Sequence, residues 1–169
     1  PSTSPLTNVT NTKLLTCCSN RFRDKSTSDH AITAIPTGNS PQVKPFSPFA
    51  PSTSYLPATK GGSMSSIGSG DGATIAANTA LDLLSNGTFT IDFWFYRTSS
   101  FGTYSDYVGI FNGVSGGVLL YQLGANFQVY INGSTIFNVT HPATFQWVHV
   151  ALTRDGTTLR LFFNGVLQG

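Results

Sequence analysis

Apolar and polar residues alternate along the last part of the chain, over residues 147–169. The apolar positions of two successive stretches are Val148, Val150, Leu152, Leu159, Leu161 and Phe163. A period of two is typical of a β-strand that buries one face. Asp155-Gly156 follows the first stretch and Asn164-Gly165 the second. Because these pairs supply the positive φ angles of tight turns, the segment is predicted to form consecutive hairpins.

A similar alternation occurs earlier, in the stretch FTIDFWFYR. Its apolar face contains Phe89, Ile91, Phe93 and Phe95, and its other face contains Thr90, Asp92, Trp94 and Tyr96. Further strands are predicted over residues 107–111, 118–123, 127–131 and 135–139, with Asn112-Gly113 and Asn132-Gly133 as turns. Only residues 79–84 indicate a helical turn. Short strands at intervals of about 8–12 residues, joined by Asn-Gly turns, predict an all-β fold, an antiparallel two-sheet sandwich or jelly roll.

The first third of the chain is less regular. Residues 1–12 are rich in Pro, Ser, Thr and Asn, and are predicted to be a linker or a docking arm. Residues 13–18 and 30–35 are predicted to be short strands. Residues 41–57 contain five prolines, and proline cannot donate to a central ladder. This segment is therefore predicted to cross the body of the domain, held by its two Phe rings, and one β-sandwich is expected over residues 13–169.

The composition restricts the classes of function. With 169 residues, the chain is long enough to bury a substantial core. Only 9% of the residues are charged, and the formal net charge is +2. So weak a charge does not favour nucleic acid or an anionic membrane as a partner, and no apolar run approaches the ~20 residues of a membrane span. A surface of hydroxyls and amides favours an extracellular or virion protein.

The two cysteines, Cys17 and Cys18, are adjacent. A disulfide between them would be strained, because ordinary bridges need Cα atoms about 4.4–6.8 Å apart. Two alternatives stay open from the sequence. The cysteines are either small buried or half-buried side chains, or one of them forms an intermolecular bridge.

Several segments resemble one known family. FTIDFWFYR, followed later by FQWVHVALTRDGTTLRLFFNGVLQG, resembles the laminin G-like branch of the concanavalin A-like lectin/glucanase superfamily. LLTCCSNRFRDKSTSDHAIT is similar to the opening strand, Asp-Ser turn and second strand of that branch. GGSMSSIGSGDGATIAANTALDLLSNGTFTIDFWFY is similar to its glycine-rich turn and following strand. The resemblance covers nearly everything from Lys13 onward and implies a jelly-roll sandwich.

The resemblance also has implications for assembly. PLTNVTNTKLLTC and SPFAP look like the junctions between tandem repeats of this kind in phage and environmental virion-associated proteins. The family's sandwich implies further strands after the Asn164-Gly165 turn, the last of which pairs beside the first strand. Either further residues complete the sandwich, or a neighbouring subunit adds a strand, with residues 1–12 as the donor arm.

Glycosidase chemistry is not expected, although the superfamily includes glucanases. Retaining enzymes use two carboxylates about 5–5.5 Å apart, and the resemblance implies a glutamate pair on one strand. All seven acidic residues here are Asp, and no two lie at alternate positions of one predicted strand. The histidines lack metal-ligand spacing, and His149 is expected to be a hydrogen-bonding partner on its strand. The chain is therefore predicted not to be an enzyme.

Binding sites are predicted at three kinds of residue. Exposed aromatic rings can stack on sugars, and the carbohydrate-contact candidates are Trp94, Tyr96, Tyr104 and Tyr107. Because laminin G-like sandwiches often carry calcium at loop edges, the resemblance implies oxygen ligands at Asp71, with Asp106 or Asp82. The alternative for Asp71 is ordinary turn chemistry, and no cofactor other than calcium is expected. The glycosylation candidates are Asn8, Asn86, Asn132 and Asn138.

Two hypotheses of function follow. The first is a non-catalytic structural or adhesion module of an extracellular or virion fibre, filament or tail assembly. Such a module would polymerise with copies of itself through β-strand contacts. The second is a lectin-like module that binds surface glycans. Neither hypothesis includes nucleic acid or a membrane as a partner.

Overall fold

The computed structural model describes residues 1–19, 21–35, 41–49, 60–66, 70–85, 87–99, 103–112 and 116–169. In these residues the regular elements are antiparallel strands and one short 3-10 helix, Thr79–Leu81. The strands are β1 Ile32–Ile35, β2 Gln42–Lys44, β3 Ser63–Ser65, β4 Gly72–Ile75, β5 Thr88–Tyr96, β6 Tyr104–Asn112, β7 Gly116–Leu123, β8 Asn126–Ile131, β9 Ser134–Thr140, β10 Trp147–Asp155, β11 Thr158–Phe163 and β12 Val166–Leu167. The all-β prediction is confirmed. Asn86, Gly113 and residues 50–57 of the proline-rich segment lie outside the described residues.

The chain divides into two compact units. The first unit is Ser2–Ala76, and the second is Ala77–Gly169 together with Pro1. In the first unit, β1 pairs with β4 and β2 pairs with β3, and β1 confirms the strand predicted around residues 30–35. In the described part of the proline-rich segment, Phe46 is exposed and Ser47 is buried. The Ser47 hydroxyl donates to the Lys60 carbonyl oxygen at 2.7 Å, so a hydroxyl holds this segment, and anchoring by the two Phe rings stays a prediction.

Residues 13–18 do not form the predicted strand. The backbone N–H of Leu15 donates instead to Oδ1 of the buried Asp24, at 2.9 Å. The same carboxylate accepts from the backbone N–H groups of Ser26 and His30. Cys17 has a φ of 60°, which lies in the left-handed region and interrupts extended backbone. The strand prediction was wrong because this backbone is organised around a side chain rather than a ladder.

The second unit contains two four-stranded antiparallel sheets. Sheet I has the order β12-β11-β10-β5, and sheet II has the order β6-β7-β8-β9. All the strands predicted from alternation after residue 88 are present, each extended by a few residues. The core side chains come from both sheets: Phe89, Ile91, Phe95, Val118, Leu120, Phe127, Val129, Val148, Val150, Leu152, Leu161 and Phe163. Antiparallel sheets that share one apolar core are consistent with a jelly-roll sandwich.

Two Asn-Gly turns each bind a neighbouring strand through the same pair of hydrogen bonds. Asn132 and Asn164 both have positive φ, at 48° and 50°, and each is followed by a glycine that also has positive φ. These angles fit the tight turns predicted from the sequence. The Asn164 Oδ1 accepts from the His149 N–H, and the Asn164 N–H donates to the His149 carbonyl oxygen, both at 2.9 Å. Asn132 makes the equivalent pair of bonds with Gly117 at 3.1 Å. Each turn therefore fixes the strand beside its own hairpin.

Asn164→Ala is expected to lower the free energy of unfolding by about 2–3 kcal/mol, because it loses the Oδ1 acceptor and places a Cβ in the left-handed region. Asn164→Gly keeps the positive φ and loses the acceptor, and should cost about 1–2 kcal/mol. Urea unfolding followed by circular dichroism measures both. An alanine variant no less stable than the glycine variant would show that the turn angle does not require asparagine or glycine.

Candidate functional site

The outward face of sheet I brings together aromatic and polar side chains of β5 and β10. The register pairs Trp94 with His149 and Tyr96 with Trp147. The Tyr96 and Trp147 rings meet edge to face with centroids 5.5 Å apart, and the Trp94 ring lies 5.0 Å from the His149 imidazole. Alternate residues of these strands enter the core, so these side chains lie on the opposite face. We call Asp92, Trp94, Tyr96, Trp147 and His149 the tryptophan face.

Asp92 and His149 form the polar pair of the tryptophan face. His149 Nε2 lies 2.9 Å from Asp92 Oδ2, and the two side chains are 7% and 30% exposed. Since an ionised carboxylate only accepts, Nε2 is the nitrogen that donates. His149 Nδ1 is buried and has no hydrogen-bond partner among the described residues. The prediction that His149 serves as a hydrogen-bonding partner on its strand is confirmed.

The four predicted carbohydrate contacts do not form one site. The structure places Trp94 and Tyr96 together on the tryptophan face, in sheet I. Tyr104 and Tyr107 both belong to β6, in sheet II. Trp147, His149 and Asp92 were missed as site residues, although the same alternation assigns them to the outward face. The alternation alone does not predict the register between β5 and β10, which places His149 opposite Trp94.

Tyr104 is the more exposed of the two β6 tyrosines, at 50%. Its ring lies 5.3 Å from that of Tyr121 on the neighbouring strand β7. The Tyr121 hydroxyl donates to Gln128, and Gln128 Nε2 donates to Asn138 Oδ1 at 3.1 Å. Partial burial, with a hydrogen bond to Asp106 and its negative charge, raises the pKa of Tyr104 to about 12. Its phenol is therefore neutral. Its ring lies beside the Tyr121 end of a row of hydrogen-bonded side chains, Tyr121, Gln128 and Asn138, across sheet II.

Tyr107 packs into the core instead of lying on a surface. Its ring lies 4.8 Å from the Phe95 ring and 5.5 Å from the Phe127 ring. Its hydroxyl lies 2.6 Å from His141 Nε2. Burial raises the pKa of Tyr107, and the Arg97 charge and hydrogen bond oppose that rise. The structure therefore separates Tyr107 from the other three aromatic candidates.

The predicted calcium ligands are distributed over both units. Asp71 immediately precedes β4 in the first unit, whereas Asp82 follows the 3-10 helix and Asp106 lies in β6 of the second. Within the described ranges, no three or more His, Cys, Asp or Glu side chains are grouped so that they could hold a metal ion. Calcium binding by these residues stays a prediction.

The cysteines and the glycosylation candidates occupy varied environments. Both cysteines are free, Cys17 exposed and Cys18 half-buried. Burial, and then the neighbouring Cys17 thiol, raise the pKa of Cys18 against an opposing contribution of Lys25, so this thiol is protonated near neutral pH. The asparagines of three candidate sequons, Asn8, Asn132 and Asn138, are exposed. Their use as acceptors stays a prediction.

Comparison with known families supports the resemblance seen in the sequence. A family model described as concanavalin A-like lectin/glucanases superfamily matches residues 68–169, which is more than half of the chain. Searches of curated proteins and of solved structures gave no match. Within the described residues, no helix has the length and apolar character needed to cross a membrane. The family match and the antiparallel all-β architecture agree with each other. The chain therefore belongs to the concanavalin A-like lectin/glucanase superfamily.

Proposed function

We propose that the protein is a non-catalytic adhesion module that binds glycans through the tryptophan face. The observation that carries this proposal is the placement of Trp94, Tyr96 and Trp147 together, beside the Asp92–His149 pair. Partly buried Trp and Tyr rings can still offer an apolar platform to the C–H face of a sugar. The partly exposed Asp92 carboxylate accepts hydrogen bonds from sugar hydroxyls. A few polar groups at an aromatic surface are typical of small-molecule sites.

The distribution of carboxylates supports a non-catalytic role. Glycosidases place two carboxyl groups about 5–10 Å apart across one scissile bond. Here Asp92 lies in β5 of sheet I and is bonded to His149, whereas Asp106 lies in β6 of sheet II and is bonded to Tyr104. The chain has no glutamate. Two carboxylates that lie in different sheets, each bonded to its own partner, support a non-catalytic role.

Glycan binding is tested on an array and then by calorimetry with the best sugar. Trp94→Ala should weaken binding at least about tenfold, which corresponds to the loss of ~1.5 kcal/mol of ring contact. Tyr104→Ala removes an exposed ring from the other sheet and is the matched control, expected to bind like the wild type. Each measurement is repeated with calcium and with EDTA, because Asp71, Asp82 and Asp106 are proposed calcium ligands.

The results discriminate between the two faces. Equal binding by wild type and Trp94→Ala, with loss in Tyr104→Ala, would move the site to sheet II. No binding to any glycan by folded wild-type protein would overturn the proposal. Thermal unfolding of each variant establishes that a loss of binding is not a loss of fold.

A second candidate function is structural, as a repeat of an extracellular or virion fibre, filament or tail. It is favoured by the edge of sheet I, where the nine-residue strand β5 pairs on one side with β10 and, in the described residues, has no strand on the other. Such an edge can accept a strand from a neighbouring copy, and we propose residues 1–12 as the donor arm. Sedimentation at several concentrations tests this role. Polymers that persist after deletion of residues 1–12 would exclude the donor arm.

A further inference from the structure

A partly buried network of hydrogen-bonded polar side chains borders the second unit's core. Its members are Arg97 after β5, Tyr107 in β6, Gln122 in β7 and His141 after β9. Gln122 is fully buried, and His141 is 4% exposed. Arg97 Nη1 donates to Gln122 Oε1 and, at 3.3 Å, to the Tyr107 hydroxyl. Gln122 Nε2 donates to the Gly124 carbonyl oxygen at 2.7 Å.

The imidazole of His141 completes this row of hydrogen bonds only in its neutral form. Its Nδ1 lies 2.7 Å from the Pro142 carbonyl oxygen, which can only accept, so Nδ1 carries a hydrogen. Its Nε2 lies 2.6 Å from the Tyr107 hydroxyl. Because that hydroxyl already accepts from Arg97, its own hydrogen is donated to Nε2. The neutral imidazole therefore completes a continuous donor chain from Arg97 through Tyr107 to His141 and Pro142.

Protonation of His141 breaks this arrangement. With a hydrogen on Nε2, both His141 and Arg97 would donate to the Tyr107 oxygen, and the tyrosine hydrogen would lose its acceptor. Two positive charges would then share one partly buried oxygen beside the fully buried Gln122, where charge is costly to bury. The rings beside the imidazole, Phe95 at 5.4 Å and Phe127 at 6.1 Å, are uncharged. The groups that face it thus favour the neutral form.

These hydrogen-bonded side chains connect two parts of the second unit, residues 141–146 and strand β6. Residues 141–146 join β9 to β10. In this segment the His141 N–H donates to the Ala125 carbonyl oxygen at 2.9 Å, and the Phe145 N–H donates to the Arg97 carbonyl oxygen at 2.7 Å. Phe145 has a φ of 60°, an uncommon conformation for an aromatic residue that its surroundings must maintain. Strand β6 is an edge of sheet II, and its ladder shifts register between Asp106 and Val108, around Tyr107.

We propose that Arg97, Tyr107 and His141 form an acid-sensitive latch, which holds residues 141–146 and the irregular part of β6 near neutral pH and releases them when His141 is protonated. Burial, with the Arg97 charge, lowers the pKa of His141 below its ordinary 6.5, although the Pro142 bond opposes this. The unfolded or opened chain therefore binds the proton more readily than the closed one. The latch is fully closed above about pH 6.5 and weakens as the pH falls below that value.

Hydrogen exchange at pH 7.5 and pH 5.5, corrected for intrinsic rates, tests the latch in the wild-type protein. The His141 and Phe145 amides should open more readily at pH 5.5, by up to about tenfold for each pH unit inside the titration window. Amides of β10 in the middle of sheet I should keep their protection. A parallel NMR titration follows the His141 ring, whose protonation should share its midpoint with the opening.

Two variants complete the test. His141→Gln does not titrate, so the amides of its residues 143–146 should exchange with the same corrected rates at both pH values. His30→Gln changes a histidine of the first unit, and its latch should respond to pH as in the wild type. Unchanged protection of Phe145 in wild type at pH 5.5, or opening without protonation of the His141 ring, would overturn the proposal. The wild-type measurements decide even if His141→Gln does not fold.

Discussion

Asp24→Asn is expected to lower the free energy of unfolding by about 3 kcal/mol, because a buried carboxylate that accepts four hydrogen bonds becomes an amide. The four donors are the N–H groups of Leu15, Ser26 and His30 and the Ser26 hydroxyl, at 2.8–3.0 Å. The amide has one oxygen acceptor, and its NH₂ group would face donors. Urea unfolding followed by circular dichroism measures the loss, and exchange of the Leu15 and His30 amides locates it.

The same variant should change the acid sensitivity of the protein. Burial alone would raise the pKa of Asp24, but the N–H groups of His30, Leu15 and Ser26 outweigh it and lower the pKa below its ordinary 3.8. The stability that Asp24 contributes is therefore complete above about pH 3.8 and is lost as the pH falls through the lower, folded-state pKa. Asp24→Asn should therefore not show the part of the acid-induced loss of stability that comes from protonation of Asp24.

Asp29→Asn is the matched control. Asp29 pairs with Arg23 at 3.6 Å, and both side chains are more than half exposed. Exposed pairs contribute about 0–1 kcal/mol, so this variant should be nearly as stable as the wild type. Equal stability of Asp24→Asn and Asp29→Asn would contradict the central role of Asp24.

Asp24 also shows why the first unit was difficult to predict. The stretch Leu14-Leu15-Thr16 is compatible with a strand by residue type, but its backbone partner is a carboxylate nine residues further along the chain. Sequence periodicity reports which side chains face a core. It does not report a backbone bonded to one buried side chain.

The second unit was predicted far better, for a physical reason. Each of its longer strands buries one face against the shared core, so burial imposes a period of two on the sequence, as in Phe89, Ile91 and Phe95. Its Asn-Gly turns need positive φ at successive positions, and few other residue pairs provide this cheaply. The period of two and the turn residues therefore predicted where these strands lie along the sequence, but not their order within each sheet.

The candidate site was only partly predictable, because it depends on register and on a bulge. Counted back from Val108, a regular β6 would place Tyr107 on the outward face. The register shift between Asp106 and Val108 interrupts the alternation, as bulges do, and the Tyr107 ring packs against the core. Likewise, Trp94 and His149 meet through the pairing of two strands that are distant in sequence.

Phe127→Ala is expected to destabilise the protein by about 4 kcal/mol, the largest effect of a single truncation in the core. Phe127 is fully buried in β8 of sheet II. Its ring lies 5.1 Å from that of Phe163 in β11 of sheet I, and 5.5 Å from the Tyr107 ring. One side chain therefore connects the two sheets to each other and to the latch. Its removal leaves a cavity that neither sheet can close without moving.

Two further variants separate the loss of volume from the loss of the ring. Phe127→Leu keeps most of the apolar volume and should cost about 1–1.5 kcal/mol. Ile136→Ala truncates a side chain of β9 that is 43% exposed, and should cost less than about 1 kcal/mol. Urea unfolding ranks the three variants. If Phe127→Ala were no less stable than Ile136→Ala, the two sheets could not share the core described, because a fully buried ring at their junction cannot be removed without loss of contacts on both sides.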